Sequence, residues 1–157
     1  MVFDSLGIDI SWEELGSLIE SDGIFKDREA VMEYAESENL NSGEYHVNLG
    51  DLLHLILREV RMLAQIKFSP ESESTICRVP SGYDISKEEI YFNDPWTGGE
   101  ITISFDDFSE YCYNMDIIGE INHLTGVLIY DKNVSIEDLN LTPYVYPADR
   151  SYKSEED

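Results

Sequence analysis

Leu63-Ala64-Gln65-Ile66-Lys67-Phe68 is where the chain changes its period. Ala64, Ile66 and Phe68 fall on one side and Gln65 and Lys67 on the other, the alternation of a strand. Just upstream, residues 49–62 are apolar at helical spacing instead. Leu52, Leu53, Leu55, Ile56, Leu57 and Val60 wrap much of a helix circumference, which predicts a central helix. Before this boundary the chain reads as helix and loop; after it, mostly as strand.

Toward the N-terminus, Ser11-Trp12-Glu13-Glu14 is a capping box, with Trp12, Leu15, Leu18 and Ile19 on one helical face and Ser21-Asp22-Gly23 as the stop. A second helix is expected over residues 27–37, with Val31, Met32 and Ala35 inward. Residues 38–48 are polar and contain Asn41-Ser42-Gly43, so they read as a loop with at most a short strand at 45–47. Toward the C-terminus, strands are expected over residues 75–79, 89–93, 101–105 and 124–130. Pro80-Ser81-Gly82 ends the first of these, and the turn from Asn93 to Gly99 closes the second. A short helix over 106–113 should start at Ser104, with Asp107 completing its capping box. Helices followed by an antiparallel β-meander give an α+β domain over residues 1–134, not alternating βαβ units. Residues 135–157 read as a polar extension with Pro143 and Pro147 and a disordered end.

The 157 residues carry 33 acids against 10 bases, a formal charge of -23. Residues 1–60 hold 14 acids and 3 bases and the rest 19 and 7, so the acidity belongs to the folded body. Such a charge argues against direct binding to a phosphate backbone or an anionic membrane surface. It suits a basic protein partner; a merely solvated acidic surface would account for it equally. Two cysteines make neither a disulfide scaffold nor a four-ligand zinc site. The first residues lack a basic stretch followed by an apolar one, and no apolar run approaches about 20 residues, so a cytoplasmic protein is expected. No nucleotide or phosphate fingerprint is present, and no cofactor is expected.

Gly82-Tyr83-Asp84, Ile90-Tyr91-Phe92-Asn93-Asp94-Pro95-Trp96 and Ile103-Ser104-Phe105-Asp106-Asp107-Phe108 together resemble the C-terminal half of papain-like, C39-type cysteine peptidases. There a Gly-Tyr-Asp turn leads into a strand that ends at Asn-Asp-Pro, and a helix start follows. Residues 8–18 and 52–68 are similar to the segments after the nucleophile helix and before the histidine strand. The resemblance implies a thiolate, a histidine base and an orienting carboxylate. The orienting residue maps onto Asp94. The histidine is due near residues 75–77, where none stands, and no cysteine precedes Ile8. The implied protein is a catalytically dead relative in which Asp94 keeps a structural role, accepting backbone N–H bonds in an Asx-turn.

Cys77, His123 and Asp131 come in the order of a rebuilt catalytic set, although Cys77 lies in an apolar strand pattern and is most simply a core residue. His46 and His54 lack the partners that would make a zinc site, and His123 reads as an exposed loop residue. Adjacent carboxylates such as Asp106 and Asp107 point in different directions and suit caps and solvated edges. The ten tyrosines are a stronger sign of binding. Tyr111, Tyr113, Tyr144 and Tyr146, with Asp106, Asp107 and Glu110, would form an acidic, aromatic face for a Lys/Arg-rich partner; packing of the sheet rim explains them as well. Two functions follow as expectations: a non-enzymatic inhibitor or immunity-type protein acting on a basic nuclease or toxin, or a C39-like peptidase or amide hydrolase with its site relocated to Cys77 or Cys112.

Overall fold

A computed structural model describes residues 28–94, 98–112 and 123–144. The helix expected from Ser11 lies outside them. The first described helix, α1 (Arg28–Ser37), buries Val31 and Ala35 as the spacing required. It ends in a Schellman turn: Leu40 N–H donates to Ala35 O and Asn39 N–H to Glu36 O, with Asn39 at φ 65.

The polar stretch that follows is a full strand, β1 (Asn41–Asn48), and not a loop. It is held by pairing with β6 along its whole length and with β7 at Tyr45 and His46. Asn48 then turns the chain into α2 (Leu49–Leu57), its Oδ1 accepting from Asp51 N–H at 2.8 Å. This helix stops five residues earlier than its apolar run. Glu59 takes φ 62, and Val60 N–H donates to Leu55 O and Glu59 N–H to Ile56 O, a second Schellman turn. Val60 becomes a core residue of the connection, and Met62 joins strand β2 (Arg61–Lys67).

Strand β3 (Thr75–Asp84) runs through the expected stop at Pro80. It pairs with β2 over its first half and with β4 (Glu89–Asn93) over its second, and an irregularity between Pro80 and Gly82 marks the change of partner. Proline is acceptable there because a bulge needs no ladder N–H at every position. Strand β5 (Glu100–Ser104) pairs with β4. The next helix, α3 (Phe108–Tyr111), is a single turn, shorter than expected. Ser104 Oγ accepts from Asp107 N–H at 3.1 Å, as the capping pattern proposed, but the Asp107 side chain makes no cap.

Strand β6 (His123–Tyr130) then inserts between β2 and β1, and β7 (Thr142–Pro143) covers the far edge of β1. The sheet is antiparallel throughout, in the order β5-β4-β3-β2-β6-β1-β7. The meander therefore holds for β2 to β5 and fails at β6. The α+β class stands in this coarser form: one mixed sheet-and-helix body, described from α1 onward.

Two apolar clusters sandwich the sheet. Val31, Ala35 and Leu40 pack on Leu63, Cys77, Val79, Val127 and Ile129 on one face. Leu52 and Leu55 of α2 and Phe108 of α3 pack with Met62, Ala64, Ile66, Ile90, Phe92 and Leu128 on the other. β6 contributes to both, and seven of its eight residues are buried. Gly126 sits opposite Ala64 in this strand. A Cβ there would collide with the Leu63 carbonyl oxygen and lie 2.9 Å from Met62 Cε. The chain after Asp131 does not leave the body: Ile136 is buried, and Tyr144 N–H donates to Glu44 O. The Arg58 guanidinium grips both Asp138 oxygens at 2.7 and 2.8 Å. The expected extension is thus packed through Tyr144.

Candidate functional site

Asp94 ends β4 and is 5% exposed; its neighbour from β3 is Arg78, 3% exposed. Arg78 Nε stands 3.9 Å from Asp94 Oδ2. The same guanidinium donates from Nη1 to Lys67 O at 3.1 Å and from Nη2 to Phe68 O at 3.3 Å, and its carbon lies 5.6 Å from the Phe68 ring centre. Burial pulls the Arg78 pKa down, and the charges of Asp94 and Tyr111 push it back up. Asp94 also holds its turn through the backbone, its N–H donating to Gly99 O and its carbonyl accepting from Gly98 N–H, both at 2.8 Å. Gly98 has φ 74, which a side chain would resist. The carboxylate that the resemblance would assign to orienting an imidazole thus faces a guanidinium. A guanidinium stays protonated in proteins and cannot act as a general base. The strand start, Thr75-Ile76-Cys77, supplies no imidazole either.

The possible Cys77–His123–Asp131 set is not assembled. Gln65 pairs with Cys77 on one side and with Thr125 on the other. Cys77 and His123 are therefore two strand spacings across and two residues along from each other, about 12 Å. Asp131 follows the opposite end of β6, eight residues from His123 and roughly 27 Å away. Cys77 packs instead among Val31, Leu63, Val79 and Val127. Cys112, the other thiol, is buried beside α3, and its Sγ contacts Phe108 O at 3.4 Å. Burial pushes its pKa up to about 12, the opposite of what a nucleophile needs.

His123 is no loop residue: it opens β6 and is 1% exposed. His46, from β1, is 4% exposed, and the two rings meet edge-on with centres 4.8 Å apart. Thr125 Oγ1 lies 3.2 Å from His46 Nδ1, and the Tyr144 ring centre is 5.3 Å from that of His46. The sequence hid this buried polar row because His46 falls in a polar stretch with at most a short strand and His123 reads as an exposed loop residue. The spacing of His123, Thr125 and Val127 on one strand face is the signal that could have found it. Among the described residues, no three or more His, Cys, Asp or Glu side chains are grouped to hold a metal ion.

The tyrosines and acids expected to form one binding face do not all come together. Tyr111 is half-buried against the α2/α3 cluster, while Tyr144 stands beside His46, whose Thr125 partner belongs to the α1 side of the sheet. Tyr113 and Tyr146 lie outside the described residues. Asp106, Asp107 and Glu110 are exposed around α3. Asp106 also lines a shallow cleft of about 600 Å³ with Asn48, Leu49, Gly50, Phe105, Phe108 and Ser109.

A different acidic group had not been anticipated. On the α1 side of the sheet, beyond α1, the strand registers place Asp84, Glu89, Tyr91, Glu100 and Thr102 on one face. Glu100, Thr102 and Asn93 are exposed, Tyr91 is half-exposed, and Tyr91 Oη donates to Glu89 Oε1 at 3.4 Å. Desolvation first, then Glu89 and Asp84, raises the Tyr91 pKa. Asp84 is held low by hydrogen bonds from Ser86 Oγ and Lys87 N–H. Alternation of Glu89 with Ile90 and Glu100 with Ile101 was the available signal.

Among the described residues, no helix is long and apolar enough to cross a membrane. No family model, curated protein or solved structure matches the chain.

Proposed function

We propose that the chain is a non-enzymatic, acidic protein-binding module, an inhibitor or immunity-type protein that acts on a basic partner such as a nuclease or toxin. The observation that carries this reading is the formal charge of -23 over the chain, with the acids of the described residues mostly on exposed positions of helices, strand faces and turns. A field of one sign steers a basic partner and speeds association. Two further features support it. Asp94, the one residue retained from the catalytic set implied by the C39-like resemblance, is engaged by Arg78. The two cysteines form no disulfide and are buried in apolar packing, which fits a reducing, cytoplasmic setting better than a nucleophile.

The test is titration of the purified chain against basic nucleases or toxins encoded beside it, at several salt concentrations, with the partner's activity as a second readout. Binding that weakens steeply with salt and silences the partner is the expected result. Salt-independent binding, or none to any of these proteins, would remove the reading.

A further inference from the structure

The two edges of the sheet differ. At one, β7 is two residues long and ends in Pro143, a short edge that cannot extend a ladder. At the other, β5 offers five regular residues without proline, lysine or bulge, and among the described residues no strand pairs with its outer side. An open edge of this kind is a row of N–H and C=O groups ready to accept another strand. Beside it lies the acidic face just described. Glu100 and Thr102 of β5 are exposed, and Glu89 and Tyr91 stand one strand further in. On the opposite face of the same edge, Ile101 is half-buried and Ile103 is buried.

The geometry points to β5 as the docking edge for an extended, basic segment of the partner protein, added as an eighth strand. This rests on the reading of the chain as a binder of basic proteins. Successive residues of an added strand face opposite sides of the sheet. One set would lie beside Glu100 and Thr102, one strand spacing of about 4.8 Å away, from where Lys or Arg can extend over β5 toward Glu89 and the Tyr91 ring, two spacings or about 9.6 Å off. The other set would lie beside Ile101 and Ile103 and should be Val, Ile or Leu. The recognised segment therefore alternates basic and branched aliphatic residues over about five to seven positions, the reach of β5. A second copy of this chain is a poor occupant, because it would bring another charge of -23 to the same edge.

The probe is a synthetic seven-residue peptide that alternates Lys or Arg with Val or Ile, titrated by fluorescence anisotropy at low salt. Two versions N-methylated on alternate residues, one set for each backbone edge, separate strand addition from charge alone. A strand pairs through one edge, so one methylated peptide should lose at least tenfold in affinity and the other should bind like the parent. Glu100→Lys should weaken the parent peptide at least tenfold, and Glu36→Lys, the same charge change on exposed α1, only about twofold. Equal binding of both methylated peptides, equal effects of the two charge variants, or no binding of the parent below about 1 mM would overturn the proposal. So would a dimer of the free protein that Glu100→Lys dissolves. If a natural basic partner binds wild type and Glu100→Lys alike, the edge assignment fails while the broader function stands; if none binds at all, both fail.

Discussion

Replacing Arg78 by Met tests whether the pair with Asp94 is structural. Both side chains are almost fully buried, so little solvent screening softens the loss. Removing one member of a buried pair typically costs about 3–5 kcal/mol, because the other is left as an uncompensated charge. The two carbonyls that Arg78 serves, on Lys67 and Phe68, lose their donors as well. The expected loss is therefore at least about 3 kcal/mol, roughly a fifth to three fifths of an ordinary domain's stability of about 5–15 kcal/mol. Asp94→Asn should cost less, roughly 1–3 kcal/mol, since an amide keeps an acceptor near the guanidinium. In the double variant the losses should not add, and the coupling should exceed about 1.5 kcal/mol. Urea unfolding with a constant m-value is the assay. Single losses below about 1 kcal/mol that simply add would show that the pair is incidental.

Gly126→Ala should destabilise by more than about 3 kcal/mol in the same assay, since the new Cβ meets the backbone of β2 on its buried side; a loss under 1 kcal/mol would mean the strands separate freely. Glu59→Gly should stabilise by about 1 kcal/mol by relieving the left-handed backbone at the end of α2, and a loss on substitution would show that Glu59 is held by something else. The Asp138 carboxyl, held at about 2 chiefly by its hydrogen bonds from Arg58, has a folded pKa below the unfolded one. Its contribution is present above pH 4 and is lost as pH falls through about 2, so Arg58→Gln should flatten the acid limb of the stability curve there. Cys112, at about 12, should react with iodoacetamide at pH 8 roughly a thousandfold more slowly than an unperturbed thiol while the protein stays folded.

Strands β4, β5 and β6 were legible because each combines alternation or β-branched residues with a turn signal at its end. The inward face of α1 was legible from Val31 and Ala35. The end of α2 was not: no Gly, Asn or Pro stands between Arg58 and Met62, and Glu59 adopts the left-handed conformation without announcing it. β1 read as at most a short strand at 45–47 because its polar residues look solvated, and its full length is set by the pairing with β6. The same error hid His46 and His123. Asp94 was singled out by its turn, whereas its partner Arg78 could not be found, since nothing in a strand pattern tells which neighbour a buried arginine will meet. The acidic face on β4 and β5 needed the register between strands, which a single sequence does not contain.

The insertion of β6 between β1 and β2 also sets the order in which the protein can be made. From the end of β1 at Asn48 to the start of β6 at His123 lie 74 residues. At about 5–20 residues per second, a ribosome needs roughly 4–15 s to deliver them. Through that interval β1 has no sheet partner among the described residues, since β7, its other neighbour, comes later still. A nascent chain would hold the β2–β5 meander on one side and an orphan helix-strand pair on the other, each with an uncovered apolar face. Chaperone capture during synthesis, and aggregation of any fragment that stops short of Tyr130, are what this topology leads us to expect.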